Sequence, residues 1–410
     1  MMITLLALCA GASALAPSSI VHRGRSRKPA TLRHALNERD DILRAKDLLL
    51  GRQPLAQSPD KPEAAPAAAV EAMPAAAAFA VPVTAPVAKA AKAVAVPAAA
   101  PLAGDWDIEL CSPSKINLFL RIVRRRDDGY HDLASLFQAI KLSDQLGMSL
   151  LAEGVEDDAF ECNMEGVPVD RTNLVLRAVD VFREKTGVDR KFKIRLEKTV
   201  PAQAGLGGGS GNAATALWGC NELCKANGLP TCTHEELVEI STGLGSDATF
   251  FLSEGTAFCT GRGEVLTPLK ALPSQGLYIV KPEVGLSTPA VFKALDLDGR
   301  STADPLALLG LHTMGAEGPD KYVNDLEKPA FSVIPELAAL REKLTGLGFP
   351  VVSMSGSGTS IFCLGEPSAE AASGEDWAAE LEAGGEFPWP IRVFKTEFLS
   401  RPSTECWYSV

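Results

Sequence analysis

Residues 201–215 read PAQAGLGGGSGNAAT, and four glycines within five positions, Gly205, Gly207, Gly208 and Gly209, restrict this stretch to a loop that an ordinary helix or strand cannot replace. Glycine reaches positive φ without a Cβ penalty, so successive N–H groups can converge on one anion, and a helix that follows adds its positive dipole end and free amides. Upstream, KFKIRLEKTV alternates Phe192, Ile194 and Leu196 as a strand does. Downstream, AATALWGCNELCKANG predicts a helix that Asn212 or a neighbour begins and Gly228 ends. Strand, glycine loop and helix in this order suit a phosphate. No Lys follows the glycines as in G-x-x-x-x-G-K-[ST], and the segment lacks the tight βαβ setting of G-x-G-x-x-G, so neither of those motifs describes it.

The chain has 410 residues, enough for one large or two ordinary domains. Charge is unevenly spread. Residues 105–410 carry 28 basic against 44 acidic side chains, which excludes a general nucleic-acid binder. Residues 1–16 are a short apolar run with small residues at its end, too short to span a membrane and typical of a secretory signal. Residues 17–36 then hold Arg23, Arg25, Arg27, Lys28 and Arg33 with no acid, as a transit peptide does; the join ASALAP resembles the bipartite leaders of algae with complex plastids. The expected organisation is a leader over 1–52 and an Ala/Pro-rich linker over 53–104, with the folded body starting near Trp106. Nine scattered cysteines form no C-x-x-C, so free thiols are expected, including Cys220, Cys224 and Cys232 beside His234, in a reducing plastid stroma.

Three further segments carry chemistry. SPSKINLFLRIVRRRDDGYHDLASLFQAI predicts a strand alternating Ile116, Leu118, Leu120 and Ile122 with Asn117, Phe119 and Arg121, then a turn at DDGYH and a second strand. Lys115, at the start of the first strand, is a cation within reach of a nucleotide loop. EELVEISTGLGSDATFFLSEG opens on a capping box at Thr233 and Glu236, breaks at Gly243 and Gly245, and places Asp247 ahead of a strand-like run at residues 248–252. Asp247 is a candidate general base or, alternatively, a capping Asp. SMSGSGTSIFCL predicts a glycine-serine turn between two strands.

In this order and at these separations, the segments resemble the GHMP kinase superfamily, over about residues 107 to 400. SKINLFLRI, DDGYHDLASLFQAI, GVPVDRTNLVLRA, GSDATFFLSEGTAFCTGRGE and VNDLEKPAF are similar to its plant plastid branch, which acts on a cytidine diphosphate substrate. The resemblance implies an α+β fold: a ribosomal S5 domain-2-like, ATP-binding N-terminal domain over 105–270 and a ferredoxin-like C-terminal domain over 271–400, with the active site between them. It implies ATP as co-substrate with Mg²⁺, no metal ligand identifiable in the chain, a small-molecule partner, no nucleic acid, and no membrane in the mature form. Carried over residue by residue, Asp247 is the base and Lys115 stabilises charge. Pro201, Ala202, Gln203, Ala204, Gly205, Leu206, Gly207, Gly208, Gly209, Ser210 and Gly211 cradle the triphosphate. Tyr130 and Phe292 stack on cytosine, His131 hydrogen-bonds it, and Asn117 and Thr288 add polar contacts. The chain departs from the family pattern at Gln203, where Gly is usual, and at Gly211, where Ser is usual. Two other readings stay open on the sequence: a GHMP kinase of another small hydroxyl substrate, and a non-catalytic nucleotide-binding homologue. The pattern specifies no oligomeric state.

Overall fold

The computed structural model describes residues 94–95, 102–368 and 376–408; the expected leader, and the linker apart from residues 94–95 and 102–104, lie outside them. Among the described residues, eleven strands form two sheets: β1 (Val94–Ala95), β2 (Ile108–Arg125), β3 (His131–Leu150), β4 (Ala159–Cys162), β5 (Phe192–Glu197), β6 (Thr256–Thr260), β7 (Val265–Pro268), β8 (Gly276–Pro282), β9 (Val351–Met354), β10 (Ile361–Leu364) and β11 (Ile391–Glu397). The first sheet has the order β4-β5-β3-β6-β7 with β2 paired to β3, and the second β1-β11-β8-β10-β9. The Ala/Pro-rich tract, expected to be linker, thus supplies a two-residue edge strand parallel to β11.

The frame of the first sheet is the antiparallel pair β2 and β3, joined by the expected DDGYH turn, in which the Arg126 N–H donates to the Tyr130 carbonyl at 2.8 Å. Residues 112–122 are buried without interruption, because helices cover one face of the sheet and the second sheet covers the other. Both faces of this strand are therefore buried, and the polar residues Lys115, Asn117 and Arg121 are inside. Register shifts at Pro113/Ser114, at Asn117/Phe119 and at Ile122/Arg124 mark bulges, which re-aim side chains at a sheet.

The helix Gly208–Ala226 packs on β2 and β3 and on the helix Leu174–Thr186. It begins at Gly208, four residues before the expected Asn212. Gly207 at φ +67° already reverses the chain, so Gly208, Gly209 and Ser210 are the helix's first turn. Low helix propensity hides glycines of this kind from a sequence pattern. The predicted capping box closes as expected, Thr233 Oγ1 accepting from the Glu236 N–H at 3.3 Å and Glu236 Oε2 from the Thr233 N–H at 2.9 Å. The strand expected over 248–252 is instead a short helix, Ala248–Phe251. All four of its residues are buried, and a run that is apolar on every side has no period to separate helix from strand.

In the second sheet, the order β11-β8-β10-β9 with two helical crossovers is the ferredoxin-like arrangement. Its inner face, with Leu277, Ile279, Phe362 and Phe394, shares one apolar cluster with Ile116, Phe119, Leu136 and Phe258 of the first sheet. The described cysteines are free thiols, with Cys220, Cys224 and Cys232 buried. No described helix is long and apolar enough to cross a membrane.

After β11 the chain returns to the first sheet. Arg401, 1% exposed, donates to the Ser253 carbonyl at 3.1 Å, the Cys406 carbonyl at 3.1 Å and the Leu252 carbonyl, and sits among the rings of Trp218, Trp407 and Tyr408. Arg401→Met keeps apolar bulk but leaves buried carbonyls without a donor. It is expected to cost on the order of 3 kcal/mol, since hydrogen bonds to a charged group each contribute about 1.5–3 kcal/mol, and a urea midpoint at unchanged slope measures this.

Candidate active site

Between the two sheets lies a cleft of about 1050 Å³, lined among others by Lys115, Asn117, Gln203, Gly205, Gly207, Asp247, Thr288 and Phe292. These eight were separate expectations, spread over 178 positions of sequence. Lys115 projects from β2 beside the first bulge. Its ammonium is 3.2 Å from Asp247 Oδ2, donates to Asn117 Oδ1 at 2.8 Å, and lies 4.4 Å from the centre of the Phe137 ring. Asp247 stands at the N-terminus of the short helix Ala248–Phe251, but its side chain makes no capping hydrogen bond. Its carboxylate faces Lys115, and Ser246 Oγ donates to it at 3.3 Å. The pair is unequal in exposure: the lysine side chain is 5% exposed and the aspartate 24%. One partner is thus fixed inside, and the other is open to a ligand in the cleft.

Asn117 turns inward. Its Oδ1 accepts from Lys115 and its Nδ2 donates to Ser135 Oγ at 2.9 Å, so its amide orients the lysine. The glycine loop is tied to this strand, because the Lys115 N–H donates to the Leu206 carbonyl at 2.9 Å. Gly205 at φ +72° passes so close to the late glycine-serine turn that a Cβ would collide with the Ser355 carbonyl oxygen. Ser355 Oγ in turn donates to the Gly205 carbonyl at 3.0 Å. A second recess of about 400 Å³ runs along the loop from Pro201 to Ser210 and is lined also by Lys198 and Asn212; only Gly211, inside the helix, is withdrawn from it.

Phe292, on the wall of the cleft, stacks on His131 behind it, with ring centres 5.2 Å apart and planes at 25°; His131 itself does not line the cleft. Burial first, and the positive Arg125 second, hold the His131 imidazole below its ordinary value. Thr288 Oγ1 lies 2.8 Å from Ser357 Oγ at the cleft mouth. Tyr130 stands apart at 57% exposure, its ring under the Arg262 guanidinium at 5.1 Å, and does not line the cleft.

Several residues at the site escaped the sequence reading. Below the glycine loop, buried Asp144 accepts from the Thr199 and Val200 N–H groups at 2.7 and 2.8 Å, from Asn212 Nδ2 at 2.9 Å and from Lys198. An isolated Asp in the strand KLSDQLG gives no sign of this, because all its partners are at least 54 positions away. VNDLEKPAF carries in the sequence only the family resemblance. There Asn324 Nδ2 donates to the Met354 and Gly356 carbonyls at 2.8 Å each, and Asp325 takes Arg121 Nε and the Ile122 N–H at 2.8 Å each.

Models of two families match this chain: GHMP kinases N terminal domain over residues 173–255, and GHMP kinases C terminal over residues 309–380. The 4-diphosphocytidyl-2-C-methyl-D-erythritol kinase of Protochlamydia amoebophila (strain UWE25) is 42% identical over 304 residues, covering 74% of this chain and 94% of the relative. The chain belongs to this kinase family. The chloroplastic/chromoplastic member from Solanum lycopersicum is 42% identical over 311 residues, covering 75% of this chain and 74% of the relative. A solved structure described as 4-(cytidine 5'-diphospho)-2C-methyl-D-erythritol kinase aligns at TM-score 0.57 and 32% identity, over 71% of this chain and 99% of that chain. The S5 domain-2-like and ferredoxin-like pair implied by the resemblance is the fold of this family.

The two departures from the family pattern differ physically. Gln203 is held at φ +50°, where a side chain is strained, and its amide oxygen reaches across to Gly285. Gly211 is buried against β2, and a Cβ there would lie 2.6 Å from the Pro113 carbonyl oxygen. Gln203→Gly is expected to leave stability unchanged or raise it by up to about 1 kcal/mol, the cost of a left-handed non-glycine residue. Gly211→Ser is expected to lower it by about 1–3 kcal/mol through overpacking. Thermal melts of the two single variants should move in these directions; a neutral Gly211→Ser would show that β2 yields at Pro113.

Proposed function

We propose that this protein transfers the γ-phosphoryl group of ATP to the 2-hydroxyl of the methylerythritol moiety of 4-diphosphocytidyl-2-C-methyl-D-erythritol, in the non-mevalonate route to isoprenoid precursors. What carries the reading is the Lys115–Asp247 pair, 3.2 Å apart in one cleft between a glycine-rich helix start and an aromatic stack. Phosphoryl transfer asks a protein mainly for positioning and charge neutralisation. Asp247 accepts the hydroxyl proton as the oxygen attacks the γ-phosphorus, and the bond from that phosphorus to the bridging oxygen of ADP breaks. Lys115, held by Asn117, neutralises the charge that develops on the attacking oxygen.

Residues 201–210 cradle the triphosphate with loop amides and the first turn of Gly208–Ala226, where a helix presents free N–H groups and positive dipole. Gly211 contributes by letting that turn lie against β2. No group of three His, Cys, Asp or Glu side chains among the described residues could hold a metal. Mg²⁺ would be held chiefly by the nucleotide phosphates, whose charge it would neutralise. The His131–Phe292 stack forms the cytosine pocket. With its imidazole neutral, His131 offers one donor and one acceptor to the edge of the base.

Asp247→Asn keeps shape and removes basicity, so turnover is expected to fall about 10²- to 10⁴-fold while ATP binding persists. Lys115→Met is expected to act similarly, and the double variant to lose little more, because the two work as a unit. Steady-state ADP release with the cytidine substrate, set against galactose, mevalonate and homoserine, tests both mechanism and substrate. Turnover per folded molecule near wild type in Asp247→Asn would reject the base, and preference for another alcohol would reject the substrate.

Tomato and Arabidopsis relatives are named as chloroplastic. With the acid-free basic stretch at 17–36 behind an apolar run, this supports a plastid destination reached through the secretory route. A fluorescent reporter carrying residues 1–60 should enter the plastid; uniform cytosolic signal would contradict it.

A further inference from the structure

Lys281 lies near the end of β8, 4% exposed, and its ammonium makes no ion pair with a carboxylate among the described residues. It donates to the Pro282 carbonyl at 2.7 Å, the Val284 carbonyl at 2.8 Å and Thr359 Oγ1 at 2.6 Å. Thr359 Oγ1 itself donates to the Val284 carbonyl at 3.0 Å. Burying a cation without a counter-ion is costly, and packing alone would be served by an apolar side chain. What the three protons join are two segments of distant sequence. Residues 284–288 and 356–358 both line the cleft, and the Thr288–Ser357 hydroxyl contact joins the same two segments again at the mouth.

Resting on the function proposed above, we infer that Lys281 is a positioning residue: its ammonium clamps the loop 284–288 to the turn 355–359 and thereby sets affinity for the cytidine substrate, without taking part in phosphoryl transfer. The clamp works by proton count. An ammonium has three protons for three oxygens, whereas an amine has two. On deprotonation a carbonyl loses its donor, or Thr359 turns its own proton to the amine and releases Val284. Burial lowers the ammonium to about 8; Glu283 favours the charged form, and Arg392, the cross-strand partner on β11, opposes it. The clamp therefore loosens within an accessible range. The sign separates this from unfolding. The folded state holds this proton more weakly than an unfolded lysine near 10.5, so this group's contribution to global stability rises between about pH 8 and 10.5.

In the full chain, the wild-type KM for the cytidine substrate should rise about fivefold between pH 7 and 9, the worth of about one hydrogen bond. KM for ATP and kcat should stay within about twofold. Lys281→Met should show the raised KM already at pH 7 and no further rise, with faster hydrogen–deuterium exchange in residues 284–288 and 355–360. Should Lys281→Met fail to fold, Thr359→Val removes the shared hydroxyl and should raise the same KM. A folded Lys281→Met or Thr359→Val with unchanged KM, or with kcat and both KM values changed together, overturns the clamp. If the wild type turns over no cytidine substrate, the proposed function falls. The exchange rates then decide the clamp by themselves, and unchanged exchange refutes it.

Discussion

A lysine ammonium withdrawn from water must find its compensation inside the protein, and the environment of Lys115 organises the whole cleft. The side chain is 5% exposed, so bulk solvent does little to stabilise its charge. Asp247, Asn117 Oδ1 and the face of Phe137 supply that stabilisation from three different elements. Each of the three is itself held: Asn117 by Ser135, Phe137 by the edge of Phe250, and the segment after Asp247 by Arg401 at the Leu252 and Ser253 carbonyls. The tail that returns from the second sheet thus fixes the segment carrying a carboxylate of the first. A charged pair whose partners come from strand, helix and tail can only form when the whole arrangement is correct.

Much of the fold was legible because periodicity and punctuation agree in it. The β2–β3 hairpin, the Thr233 capping box and the glycine-serine turn follow from local signals, whereas the ferredoxin-like half followed only from the family resemblance. Failures came where burial erased the period. Ala248–Phe251 is apolar on all sides and reads equally as strand or helix. The helix beginning at Gly208 hides behind residues that seldom occupy helices. Nothing local to Lys115 reveals that both faces of β2 are covered.

The site was legible in its parts, whereas the bonds joining the parts were not. Lys115, Asp247, Thr288 and Phe292 line one cleft with Gln203, Gly205 and Gly207 of the loop, and residues 201–210 line a second recess. Tyr130 does not join them, because the hairpin turn that carries it projects outward and leaves the next residue, His131, to meet Phe292. Asp144, Lys198 and Asn324 were passed over, since an acid, a base and an amide in ordinary strand or loop contexts acquire meaning only from backbone groups brought to them by folding. Asp144 fixes the chain entering the glycine loop, and Asn324 fixes the turn facing it. These two residues do for the loops what hydrogen-bonded ladders do for strands.

The cleft has one further constraint in its shared core. Phe119 and Ile116 of β2 pack with Phe362, Ile279 and Phe394 of the second sheet, so the two halves of the fold are not free bodies joined by a hinge. The same strand carries Lys115 and Asn117 toward the cleft and Arg121 to Asp325 beside the second sheet. One bulge lies within this run, at Asn117/Phe119, and it changes which residues of β2 face which layer. Without it, strict alternation from Lys115 would put Asn117, Phe119 and Arg121 on a single face. One strand can therefore serve the catalytic pair, the inter-sheet core and the ion pair together, and the separation between Lys115 and the aromatic wall is set when the core forms.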